Sequence, residues 1–148
     1  MTDIGYTTAA DIEPFIMRFL RAHIRDVTFR CEPPTEQTTT ATTPFCYVYT
    51  QARQSGSRVT DRATIGLAYY QGAGETTTQA FTRMADIIGL LSSEAPCIAE
   101  GSPLVKPDLD GGMSEFTLAE QPTASHAKPV YYAAVEFLTY RNVKTVTI

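Results

Sequence analysis

Two long runs of alternating residues dominate the sequence, Phe45–Gln51 and Arg58–Gln71, joined by the polar segment QARQSGS at 51–57. A period of two predicts strands, and so short a polar link predicts that they fold back on each other as a β-hairpin. In the first run Phe45, Tyr47 and Tyr49 share one face, while Cys46 and Val48 share the other. In the second, Val59, Ala63, Ile65, Leu67 and Tyr69 share a face that Asp61 interrupts; Thr60, Arg62, Thr64, Gly66 and Ala68 lie opposite. Apolar residues on both faces predict burial on two sides or contact with a partner.

The flanking segments supply helices and further strands. From Asp11 to Arg25 the residues Ile12, Phe15, Ile16, Phe19, Leu20 and His23 recur at helical spacing, with Thr8 or Asp11 as the expected cap and Pro14 tolerated in the first turn. Val27–Cys31 reads as a short strand stopped by Pro33 and Pro34, and the Thr-rich stretch to Pro44 reads as a loop. A second helix is expected over Thr76–Ser93, with the stripe Ala80, Phe81, Met84, Ile87, Ile88 and Leu91, ended before Pro96. Cys97–Glu100 reads as a short edge strand, 101–112 as irregular, Ser114–Ala119 as a strand and 120–128 as a polar loop. Pro129–Asn142 is a long closing strand on which Val130, Tyr132, Ala134, Leu138 and Tyr140 share a face with Glu136; the tail Val143–Ile148 stays β-prone. The expected order is α-β-β-β-α-(β)-β-β. This is an α+β class: a largely antiparallel sheet with two amphipathic helices packed on one face. It forms a single domain over 1–148, with flexible loops at about 33–44, 101–112 and 120–128.

Composition narrows the functional classes. A formal charge of −4 and a pI near 5.1 argue against a protein that grips nucleic acid. The arginines at 18, 21 and 25, and at 53, 58 and 62, are too sparse for a basic stripe. Cys31, Cys46 and Cys97 form neither a disulfide framework nor zinc-ligand spacing and read as reduced thiols, with Cys31 and Cys46 placed for neighbouring strands. Met1–Ala10 lacks the pattern of a secretory leader, and no apolar run is long enough to span a bilayer.

Catalytic patterns fail one by one. His23 falls on the apolar face of a helix and His126 in a polar loop, with no nucleophile elbow in the chain. Gly72-Ala73-Gly74 opens like a dinucleotide fingerprint, but Thr77 stands where the third glycine belongs, and Glu75 puts a negative charge where a pyrophosphate would sit. Asp108-Leu109-Asp110-Gly111-Gly112 begins like a calcium loop, yet its sixth and twelfth positions are Met113 and Ala119. No metal or cofactor is expected. Asp61 and Glu136 each interrupt an apolar strand face; a buried carboxylate is paired or functional, and Arg58, Arg62 and Arg141 are the expected partners.

The helix DIEPFIMRFLRAHI, the hairpin FCYVYTQARQSGSRVTDRATIGLAYYQG, the helix TTTQAFTRMADIIGLLSS and the closing YYAAVEFLTYRN together resemble, in layout, the phage tail-terminator (tail-completion) family. The Thr-rich stretch at 35–44 has no place in that layout. The resemblance implies a non-enzymatic virion protein, assembled in the host cytoplasm as a homo-hexameric ring. It would sit on the head-proximal end of the tail tube, stop tube growth and meet the head–tail connector or neck protein, with DNA passing through its lumen unbound. Other neck, head-closure and minor tail proteins share this size and strand content. A closed ring needs two different complementary patches; the candidate interface residues are Phe45, Tyr47, Tyr49, Arg53, Arg58, Arg62, Tyr140, Arg141, Val146 and Ile148. Two other classes stand beside it: a ligand- or peptide-binding domain with a pocket lined by Phe19, Tyr69 and Phe137, and an enzyme using Asp61 or Glu136 with a histidine.

Overall fold

The computed structural model describes residues 1–35, 42–108, 115–120 and 129–148. Its elements run β1 (Asp3–Ala9), α1 (Glu13–His23), β2 (Thr28–Arg30), β3 (Phe45–Ser55), β4 (Thr60–Tyr70), α2 (Thr77–Leu91), a short α3 (Ala95–Ile98), β5 (Leu104–Pro107), β6 (Thr117–Glu120) and β7 (Val130–Thr147). The class is mixed α+β with strands predominant.

Strand order is β1-β7-β4-β3-β2, with β5 and β6 also paired to β7. Every pairing is antiparallel except β2 with β3. The expected hairpin forms from β3 and β4, but β3 runs on through Ser55, so the turn is Gly56–Val59 rather than 51–57. A register shift between Thr50 and Ala52 lets the longer strand stay paired.

Alternation sorts the central strands into two faces. Cys46 and Val48 of β3, Ala63, Ile65, Leu67 and Tyr69 of β4, and Tyr131, Ala133, Val135 and Phe137 of β7 are buried. They form one cluster with Ile16, Phe19 and Leu20 of α1 and Ala80, Met84, Ile87, Ile88 and Leu91 of α2. Helix α2 begins where the sequence says it should: Thr76 is the N-cap, its hydroxyl accepting from the Gln79 N–H while the Gln79 side chain accepts from the Thr76 N–H. Helix α1 departs from expectation, since Ile12 is its N-cap and no side chain caps it; Pro14 in the first turn removes one of the donors a cap would serve.

Four segments differ from the sequence reading. Asp3–Ala9 is a strand where none was expected, because its partner lies at the far end of the chain, Ile4 opposite Val146. Residues 95–98 form a helical turn instead of an edge strand, with Pro96 in its first turn, a position where a missing N–H costs nothing. Leu104–Pro107 is a strand inside the stretch read as irregular, held by β7, with Leu104 buried. The closing strand does not end at Asn142 but continues to Thr147. Of the expected loops, the parts at 36–41, 109–112 and 121–128 lie outside the described residues, as does Ser114 at the start of the expected strand Ser114–Ala119.

Candidate assembly surface

Strand β7 changes partners along its length. Residues Val130–Tyr140 pair with β4 on one edge. On the other edge the same strand meets β6 around Tyr132, β5 around Leu138, and then β1 from Arg141 to Thr147. Main-chain bonds fix which edge is which. The Arg141 N–H donates to the Val59 carbonyl on the β4 side, the Tyr140 N–H to the Pro103 carbonyl on the β5 side, and Thr2 and Ile148 exchange bonds at 2.9 and 2.8 Å. Even-numbered residues of β7 therefore bond towards β5, β6 and β1, and odd-numbered ones towards β4. Beyond Arg141 strand β4 has ended, and β7 continues with β1 as a two-stranded ribbon.

A buried ion pair anchors the root of this ribbon. Asp61 is 2% exposed, and Arg141 Nη1 donates to both of its carboxylate oxygens at 2.8 Å. The same guanidinium donates through Nε to the Thr7 hydroxyl at 3.0 Å and through Nη2 to the Thr7 carbonyl at 3.1 Å. One side chain thus ties β4, β7 and β1 together, and the charge taken from water at Asp61 is fully satisfied. Of the three arginines the sequence offered, Arg141 is the partner; Arg62 instead approaches Asp108 at 3.4 Å. Glu136 is exposed, so the expectation of a second buried carboxylate fails: it falls on the alternation of the strand opposite to buried Val135 and Phe137.

That outer face carries the tyrosines. Tyr47 and Tyr49 have ring centroids 4.9 Å apart, and the Tyr49 ring lies on Gly66, where an added Cβ would come within 2.4 Å of it. Partial burial raises the Tyr49 phenol above its ordinary range, so the ring is neutral at physiological pH. A shallow cleft beside it is lined by Tyr49, Gln51, Thr117, Tyr132 and Ala134. Phe45 lies on this face too but is buried, 6.0 Å from the Tyr70 ring.

The ten candidate interface residues therefore divide. Tyr47, Tyr49, Arg62, Tyr140, Val146 and Ile148 fall on the same alternation of the sheet, the outer one. Phe45 is enclosed, Arg141 is occupied within the chain, and Arg53 donates to the Ala10 carbonyl. Arg58 sits exposed in the hairpin turn.

The remaining polar groups close on themselves. The Glu75 carboxylate turns inward instead of facing a would-be phosphate: it accepts from the Gly72 N–H at 3.2 Å, from the Tyr69 hydroxyl at 2.6 Å, and from Arg83, whose Nε reaches Asp26 at 2.7 Å. Burial first, and the bond to Glu75 second, push the Tyr69 phenol up; Glu75 and Asp26 hold Arg83 firmly protonated. This clasp fixes the turn from β4 into α2. Burial pushes the Cys31 thiol up to about 11 and raises Cys46 and Cys97 as well, so none is a poised thiolate. Cys31 and Cys46 do lie near adjoining strands, and all three cysteines are free. His23 is exposed and packs on the Phe19 ring at 4.6 Å, while His126 and Asp110 lie outside the described residues. Among the described residues no group of three or more His, Cys, Asp or Glu is placed to hold a metal, and no helix is long and apolar enough to cross a membrane. Phe19, Tyr69 and Phe137 are packed core, not walls of a pocket.

No protein-family model matches this chain. No curated protein matches it either.

The sequence reading missed the β1 half of the ribbon. The signal was there in the two termini: GYTTA and KTVTI are both short, Thr-rich and β-prone, and either would have gained meaning only by being set against the other.

Proposed function

We propose that this chain is a structural subunit that assembles with copies of itself into a ring of the tail-terminator kind, capping a tube and presenting a surface to the next component of the particle. The observation that carries the reading is the β1–β7 ribbon: strand surface built with order and anchored by a buried ion pair, yet carrying Ile4, Tyr6, Val146 and Ile148 in solvent. An isolated two-stranded ribbon is marginal in water, and evenly spaced apolar residues on one side of it call for a cover. The outer tyrosine face, continuous with that side, adds a second patch of different shape, as a head-to-tail interface requires. Two helices laid on the opposite face of the sheet complete the subunit in this reading, supported by their membership of one core cluster. A tube protein and a connector are the expected partners. The net charge of −4 suits a lumen through which DNA slides without binding. Native mass spectrometry over a range of concentrations, followed by imaging of the particles, tests it. A discrete closed oligomer of more than two copies is expected; a monomer at every concentration, with or without tail tubes, sinks it.

A second reading rests on a cleft of about 400 Å³ along α2, lined by Phe81, Met84, Ala85, Ile88, Gly89, Glu115 and Phe116. Its apolar wall and single carboxylate suit a small amphipathic cation. Saturable binding of such a probe, lost on Met84→Lys, would favour it.

A further inference from the structure

We infer that the two free edges of the β1–β7 ribbon are the subunit joint: the outer edge of β1 in one copy takes the outer edge of β7 residues 143–147 from the next, continuing one antiparallel sheet between copies. The inference rests on the ring reading and assigns the bonds that would make it.

Thr2 and Ile148 exchange main-chain bonds, and the register from Asp3–Thr147 to Ala9–Arg141 contains no shift. Within the ribbon the bonded pairs are therefore Ile4 with Val146, Tyr6 with Lys144 and Thr8 with Asn142. The N–H groups of Asp3 and Gly5 point out of one edge, and those of Val143, Thr145 and Thr147 out of the other. Neither set has a β partner among the described residues.

These two edges fit each other. Both present odd-numbered residues, so joining them keeps every even-numbered side chain on one side. Ile4 and Tyr6 of one copy then lie beside Val146 and Ile148 of its neighbour, and the exposed apolar stripe becomes continuous. Strand direction agrees as well: β1 runs antiparallel to its own β7, so a neighbour that follows head to tail with its strands pointing the same way sets its β7 antiparallel to β1 and keeps the alternation. No like charges meet, since Asp3 and Lys144 are the only charged side chains between residues 3 and 9 and between 143 and 148, and they have opposite signs and lie on opposite sides.

The edges also carry little of the usual protection. Proteins blunt an exposed edge with shortness, proline, a bulge or charged side chains, lysine above all; here the one lysine, Lys144, sits at a position bonded into the ribbon. Strand β2 at the opposite end of the sheet has only three residues, with Pro33 and Pro34 shortly after it. The β1–β7 ribbon has seven paired positions, no proline and no bulge. A second copy is the occupant whose edge is certain to match in length and alternation, because each ribbon carries both halves of the joint. Open edges at both sides let copies add until the chain of subunits closes.

Proline at an outward-facing position removes one joint donor without touching the bonds inside the ribbon, and edge positions tolerate it. Gly5 has room for a side chain, the nearest atom to an added Cβ being the Lys144 carbonyl oxygen at 4.0 Å. Gly5→Pro and Thr145→Pro are each expected to weaken self-association about tenfold or more, read by sedimentation or native mass spectrometry. Backbone amide exchange on the wild type supplies a second readout independent of any variant. In the assembled state the amides of Gly5 and Thr145 should slow to match Ile4 and Val146, and on dilution to monomer only the odd-numbered set should become fast. An oligomer of more than two copies that ignores both prolines and leaves the Gly5 amide fast overturns this joint while leaving the ring reading intact. A proline-sensitive assembly that stops at two copies supports ribbon pairing and overturns the ring. An oligomer broken by Thr145→Pro but indifferent to Gly5→Pro shows β7 pairing with β7 and overturns the head-to-tail joint.

Discussion

The two halves of strand β7 make an instructive contrast. Along Val130–Tyr140 the strand pairs with β4 on one edge and with β6 and β5 towards the two ends of the other, and Tyr131, Ala133, Val135 and Phe137 are buried in the cluster shared with α1 and α2. From Arg141 to Thr147 its strand partner among the described residues is β1, and every residue after Arg141 is exposed. The first half contributes to the stability of the fold, and the second is the half to which the proposed assembly assigns contacts between molecules. The residue at the boundary, Arg141, belongs to both: its guanidinium satisfies a carboxylate in the interior and holds the strand on which the ribbon depends.

Substitutions should pull the halves apart. Phe137→Ala in the first half removes a fully buried ring and is expected to cost about 3–5 kcal/mol, measured by denaturant unfolding. Truncation after Asn142, by contrast, should leave the core transition in place while abolishing self-association; loss of the core transition would show that the ribbon is part of the cooperative unit. At the boundary, Arg141→Ala strands the buried Asp61 carboxylate and is expected to cost about 3 kcal/mol. It should also accelerate amide exchange throughout β1. Val146→Ala is expected to change monomer stability by under about 0.5 kcal/mol, because its site is open, yet to weaken assembly measurably.

Alkaline pH gives a smaller and more diffuse test. Burial raises Cys31 from 9.0 to about 11 and raises Cys46 and Tyr69 above their ordinary values. Each group loses its proton first in the unfolded chain, so the unfolded state binds fewer protons and stability falls as pH rises. Their contribution should be complete below about pH 9 and decline above it. Core unfolding should follow this slope, and the ribbon amides should not, since all three groups lie away from the ribbon. The mildest expected effect is that of Gly66→Ala on the outer face. The added methyl displaces the end of the Tyr49 ring, a flexible group, so stability changes little while the ring contact with Tyr47 is lost.

Much of the framework was legible along the chain. The apolar stripes of α1 and α2 and the alternation of β3, β4 and the first half of β7 follow from periods of 3.6 and 2, which depend on neighbours a few residues away. The start of α2 at Thr76 is local chemistry of the same kind, fixed by its capping box with Gln79. Asp61 was recognisable as a carboxylate in need of a partner, because it interrupts an apolar face, although Glu136 gave the same signal.

What the sequence did not decide was who pairs with whom. Asp3–Ala9 and Leu104–Pro107 are strands only because β7 offers them an edge, across more than a hundred residues in the first case. Three arginines stood ready for Asp61, and only the register that sets Arg62 opposite Leu138 and Thr60 opposite Tyr140 delivers Arg141 to it. Glu136 and Asp61 looked alike as interruptions of a strand, and the strand register put them on opposite faces of the sheet, one exposed and the other buried. Local spacing determines which face a residue shares; the long-range pairing of strands determines whether that face meets a helix, another strand or water, because hydrogen-bonded edges and buried area exist only once distant segments have come together.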